Sequence, residues 1–176
     1  MDELINLDKT FSLPTFLTKV DNIYVMMCTS VMTNDLKRVS HFISPDVYKK
    51  LEERLDYLNT NNLIQMYDEL NVKSTEVIDV SITDTEYIIT VRLISRYLNY
   101  RIDKTTRKYV DGNNTSRDEI SNILVFTKKR DTQQLGIART CPNCGANMDL
   151  NRTGVCPYCN EILNQENYDW VLTSIN

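Results

Sequence analysis

Glycine, proline and histidine are scarce in this chain, with four, four and one among 176 residues. Two of the four glycines fall inside one cysteine-rich stretch. No loop can therefore cradle a phosphate through successive glycine backbone N–H groups, which excludes the common nucleotide-binding motifs. The single histidine, His41, lies far upstream of the clustered cysteines. A catalytic zinc site of the mixed histidine type consequently has no ligand set here. Long hydrophobic runs are also missing, so no segment of residues 1–176 spans a bilayer. The opening MDELINLDKTF is acidic and broken by charge, with no apolar core behind a basic start. That is not a targeting signal. Internal repeats and low-complexity tracts are absent as well. Together these absences point to the cytoplasm, where thiols stay reduced.

Cysteine is present in an unusual arrangement. Four of the five cysteines lie in CPNCGANMDLNRTGVCPYC, residues 141 to 159. Cys141 and Cys144 form one C-x-x-C pair, and Cys156 and Cys159 form another. Zinc needs four ligands at tetrahedral corners about 2.3 Å away, and two short C-x-x-C turns supply two corners each. Pro142 stiffens the first turn, and Gly145 allows positive φ just after it. Pro157 and Asn160 repeat the device. Two disulfides or a thiol redox pair are the competing readings, and spacing and compartment favour zinc over both. Four thiolates close the coordination sphere, so one Zn2+ is expected, as a structural staple. A segment of about 35 residues cannot bury enough apolar surface to fold unaided, and metal binding supplies the missing free energy. Cys28 stands apart in the apolar run VMMCTSV and reads as a small buried hydrophobe.

About 140 residues precede the cysteines, enough for one domain that buries roughly two-thirds of its unfolded surface. Its first half has helical periodicity. After Ser12, with Pro14 in the first turn, Phe16, Val20, Ile23, Met27 and Val31 recur at spacings of three and four. A second, short helix is expected in NDLKRVSHFI, with Leu36, Val39, Phe42 and Ile43 inward. Ser44-Pro45-Asp46 starts a third helix, whose apolar face is Val47, Leu51, Leu55 and Leu58. A further helical turn or two is expected from Leu63 to Leu70. The period then changes to two. Ile78, Val80 and Ile82 alternate with polar residues. Tyr87, Ile89, Val91 and Leu93 share one face of the next strand, and Ile88, Thr90, Arg92, Ile94 and Arg96 share the other. TDTE between these strands is a hairpin turn. The polar DGNNTSRDE is expected as a connection to a last strand, ISNILVFTKKRD. Helices followed by antiparallel strands predict an α+β fold.

The segments DKTFSLPTFLTKVDNIY and FISPDVYKKLEERL, and the cysteine ribbon followed by YDWVLTSI, resemble bacterial members of the Tim44-like family. The name comes from a peripheral subunit of the mitochondrial inner-membrane import machinery. The resemblance implies a cone-like fold similar to nuclear transport factor two. N-terminal helices would pack on a curved antiparallel sheet with a cavity between them, followed by a small C-terminal zinc ribbon. On this basis residues 8–138 form the α+β domain and residues 139–176 the zinc ribbon and C-terminal segment. Several bacterial relatives with the same ribbon are described as transport proteins. Many carry N-terminal membrane segments, whereas residues 1–176 contain none. The implied function is a non-catalytic adaptor in membrane-associated protein transport or assembly, holding a hydrophobic ligand, a peptide or a lipid. The alternative is an isomerase- or dehydratase-like enzyme using the cavity of the same fold. It would need a general base in an apolar pocket, commonly an Asp or a His–Asp pair. A buried, charged His41 or an Asp with a raised pKa would mark it.

Charge is unevenly spread. Residues 92–139 hold 11 basic and 5 acidic side chains, net +6, inside a chain of net charge −4. Arg92, Arg96, Arg101, Lys104, Arg107 and Lys108 dominate this stretch, and if their strands are neighbours they gather on a sheet face or rim. Such a group suits an anionic partner, either an acidic protein segment or lipid headgroups at the inner face of the membrane. The competing view is an ordinary solvated sheet edge. Nucleic acid is not expected. The ribbon offers only Arg139 and Arg152 against Asp149, Glu161, Glu166 and Asp169, and Trp170 is better used packing the ribbon onto the helical domain. A homodimer formed through the sheet is a further expectation.

Overall fold

The computed structural model describes residues 1–130 and 169–176. Three helices, α1 (Asp2–Leu7), α2 (Leu13–Thr33) and α3 (Pro45–Thr60), precede three long strands, β1 (Leu63–Ile82), β2 (Glu86–Asp103) and β3 (Tyr109–Lys129). A short strand, β4 (Val171–Ile175), comes last. The strands form one open antiparallel sheet in the order β1-β2-β3-β4. This is the expected α+β architecture. The Cys141, Cys144, Cys156 and Cys159 ribbon lies outside the described residues.

The long helices start and end for local reasons. Pro14 occupies the first turn of α2, and Asn34 ends it in the left-handed region at φ 55°, its N–H bonded back to Ser30 and Val31. Ser44 caps α3 by accepting the Val47 N–H at 3.3 Å, with Pro45 just behind it. The apolar stripes read from the sequence are the buried ones: Phe16, Val20, Ile23, Met27 and Val31 on α2, and Val47, Leu51, Leu55 and Leu58 on α3. On β2, Tyr87, Ile89, Val91 and Leu93 are buried beneath the helices, while Arg92 and Arg96 on the opposite face are exposed. The TDTE turn is also present. Thr83 N–H donates to the Glu86 carbonyl, and Glu86 N–H donates to Thr83 Oγ1, both at 2.9 Å.

Three expectations fail. No helix forms in NDLKRVSHFI, which runs as successive turns. Asp35 Oδ1 takes the Lys37 N–H at 3.0 Å, and Ser40 Oγ donates to the Lys37 carbonyl at 2.8 Å, so side chains compete with a helical ladder. The residue before Pro45 must also be extended. Leu36, Val39 and Ile43 are buried as expected, but Phe42 is only half-buried. Leu63 to Leu70 is not helical either but opens β1. Its apolar residues Leu63, Met66, Tyr67 and Leu70 fit helical spacing, and pairing with β2 from Leu63↔Asp103 to Asp68↔Leu98 overrides that pattern. Finally, DGNNTSRDE belongs to β3. Gly112 and Asn113 pair with Tyr100 and Asn99, and the ladder resumes at Asp118↔Tyr97. The extra residues bulge out, tied down by Asn113, which accepts the Ser116 N–H at 3.1 Å and donates to Asp118 at 2.8 Å.

Residues 169–176, expected with the ribbon, are built into the sheet. Leu172 lies between two neighbours: Phe126 of β3 opposite it, and Ile43 on its other edge. Leu172 N–H donates to the Phe42 carbonyl, and Ser44 N–H donates to the Leu172 carbonyl, each at 2.9 Å. Trp170 is buried against Phe11 and Phe16, with ring centroids 5.8 and 5.1 Å away. Among the described residues, no helix is long and apolar enough to cross a membrane.

Candidate binding groove

The turns that replace the expected short helix leave space beside α2. Two side-chain rows at four-residue spacing, Pro14–Thr18–Asn22–Met26 and Thr15–Lys19–Ile23, face Phe42 across an open, largely apolar groove of about 640 Å³. Its apolar lining includes Pro14, Ile23, Met26 and Phe42. Among the described residues Lys19 supplies the only charge in the lining.

That charge is held in place from several sides. Lys19 is about 20% exposed, pairs with the Asp169 carboxylate, and has its Nζ 5.9 Å from the centre of the Phe42 ring. Burial pushes its ammonium below the usual lysine range. The Asp169 charge and hydrogen bond oppose this shift, and the nearby Lys128 charge adds to it. Lys128 itself donates to Asp8 at 2.6 Å, in a pair whose side chains are only 13% and 9% exposed. The two pairs join the stretch after α1 and α2 to the last residues of β3 and the residue just before Trp170.

The cations picked out by sequence do not form one cluster. Arg92 donates to Glu76 at 2.9 Å, and Arg96 lies 3.9 Å from Glu119, which also accepts from Lys73 at 2.8 Å. Arg101 shares a face with buried Gln65 and grips Asp111 through Nε and Nη2 at 2.7 and 2.5 Å. Lys104, Arg107 and Lys108 are the three brought together, all exposed at the β2–β3 turn, with Lys104 Nζ donating to Asn59 at 3.0 Å. Tyr109 and Val110, both exposed, follow them directly.

His41 is buried, and among the described residues its Nδ1 has no hydrogen-bond partner. Burial lowers its pKa. It does not line the groove and makes no ion pair among the described residues. Cys28 is buried, and desolvation pushes its thiol up to about 12, as suits an inert core residue. Sequence does not mark Lys19, Asp169 and Phe42 as site residues, though it places Phe42 inward and Asp169 among the acids near the ribbon. The stripe read on α2 is the buried one, and of the groove row it contains only Ile23.

The Tim44-like domain model matches residues 1–136. The chain belongs to the Tim44-like domain family. Such domains are associated with membrane-related protein transport and binding. No curated protein sequence matches this Tim44-like chain. Among solved structures, the intermembrane space region of the chloroplast protein ARC6 is similar at 8% identity and a TM-score of 0.46, over 91% of this chain and 94% of that one.

Proposed function

We propose that this Tim44-like domain is a non-catalytic adaptor that holds an apolar ligand, peptide or lipid in the groove beside α2. The observation that carries this reading is a half-open apolar groove with one desolvated cation in its wall, a chemistry suited to holding rather than transforming a ligand. An isomerase-like alternative needs a base in the pocket, and His41 lies outside the groove lining. The test is native mass spectrometry of purified protein, before and after mild acid denaturation, for wild type and Met26→Glu. Wild type should release a hydrophobic companion that Met26→Glu lacks. An equal companion in both, or none in either, would sink the groove.

Two further elements belong to this proposal. Cys141, Cys144, Cys156 and Cys159 hold one structural Zn2+, and the same mass measurement counts it. The exposed turn cations Lys104, Arg107 and Lys108 make peripheral contact with an anionic partner, such as the inner face of the membrane. Support comes from the exposed Tyr109 and Val110 beside that turn, since tyrosine favours membrane interfaces. Changing Lys104, Arg107 and Lys108 to Gln should weaken sedimentation with phosphatidylglycerol-containing vesicles and flatten its salt dependence.

A further inference from the structure

A second cavity, of about 400 Å³, lies away from the groove, where α3 meets the far ends of β1, β2 and β3. Its polar walls are Arg54, Gln65, Asn99, Arg101, Asp111 and the backbone of Gly112. None of these residues touches the α2 groove, so the two sites stand or fall separately.

The interior is held in order by its own hydrogen bonds. Gln65 is buried, and its Nε2 donates to Asn99 Oδ1 at 3.0 Å and to the Met66 and Tyr100 carbonyls at 3.1 Å. The amide is thereby oriented, so that its Oε1 faces Arg54 Nη2 at 3.3 Å. The Arg54 guanidinium also lies over the Tyr67 ring, 5.8 Å from its centre. Gly112, at φ +97°, keeps β3 close to β2. A Cβ there would sit 2.5 Å from the Asn99 carbonyl oxygen.

Two guanidinium groups thus share one cavity, and their partners differ. Arg101 has a fork-to-fork carboxylate, Asp111. Among the described residues Arg54 has no carboxylate partner, only the carbonyl oxygen of Gln65 and the face of Tyr67. Asn99 accepts through Oδ1, which leaves its NH2 as a further donor. A cavity with two fixed cations and one lining anion carries an excess positive charge, and its concavity concentrates that field. Guanidinium recognises carboxylate in a planar, two-point manner that an ammonium cannot reproduce.

We infer that this cavity is a carboxylate-binding site, in which Arg54 takes from a ligand the group that Asp111 supplies to Arg101. The carboxylate comes either from a small dicarboxylic acid or from an acidic side chain of a bound protein. The test is a titration of the whole chain followed by NMR of the Arg54 Nε–H and the Gln65 side-chain NH2. The probes are succinate and a doubly capped peptide with one glutamate, against sodium chloride and sodium sulfate at matched ionic strength. Saturable shifts with both carboxylate probes are expected, and the tighter probe identifies the source. Arg54→Ala should weaken binding by roughly tenfold or more, and Arg54→Lys should recover only part of it. Arg54 is exposed on a helix, so neither variant threatens folding, and Met26→Glu should bind as wild type does. Linear shifts matched by chloride, shifts equal in Arg54→Ala, or equal response to sulfate would each overturn the assignment.

Discussion

Lys128 and Asp8 illustrate what a nearly buried ion pair means for one side chain. Removing one partner leaves a charge with little water around it, so Asp8→Asn should destabilise the domain by about 3 kcal/mol. Chemical denaturation at neutral pH measures this. Desolvation pushes the Asp8 carboxyl up, but the hydrogen bonds from Lys128 and Thr10 and the Lys128 charge outweigh it, and its pKa is lowered. The native state therefore releases this proton more readily than the unfolded chain. The Asp8 contribution is fully present above the ordinary carboxylate value of about 3.8 and is lost as pH falls through the lowered one. His41 acts in the same direction at a higher pH. Its lowered pKa means that the unfolded chain binds a proton first, so stability declines as pH drops below about 6.5. A His41→Gln variant should lack that part of the decline in a pH series of unfolding midpoints.

At the scale of elements, legibility followed the strength of local signals. Capping and an uninterrupted apolar stripe made α2 and α3 readable, and strict alternation made the central part of β2 readable. Ser44→Ala should accordingly lower stability by about 1 kcal/mol, seen as a lower thermal midpoint. Where two patterns coexisted, sequence misled. Leu63 to Leu70 satisfies helical spacing, and only the neighbouring strand makes it β1. DGNNTSRDE looks like a loop because its strand end has no core to face, yet its backbone continues the ladder with β2. Gly112 is the position there that tolerates no side chain, through both its positive φ and the closeness of β2. Gly112→Ala should destabilise more than Ser44→Ala does in the same assay.

For the whole molecule, the last strand decides how the parts depend on each other. Trp170 and Leu172 fill the core between α2, the 36–44 turns and β3, and they return to the sheet after the cysteine stretch. Truncation after residue 130 should therefore expose Phe16, Ile43 and Phe126 and prevent stable folding, with loss of the near-ultraviolet dichroism signal. Cys141→Ser with Cys144→Ser should instead lose the metal while the helical signal survives, because β4 remains available to the sheet. Equal collapse in both variants would show that the ribbon itself is needed for the domain to fold.

By itself the sequence determined the α+β class, the faces of α2, α3 and β2, and both helix starts. These follow from local periodicity and from residues whose conformational limits act over a few neighbours. Only the tertiary structure decided that β4 completes the sheet, that Lys19 meets Asp169, and that Phe42 faces α2 across open space. It also decided that the basic residues of one sequence stretch divide between two sheet faces and a turn. Those outcomes depend on contacts between residues distant in the chain, and such contacts leave no local period to read.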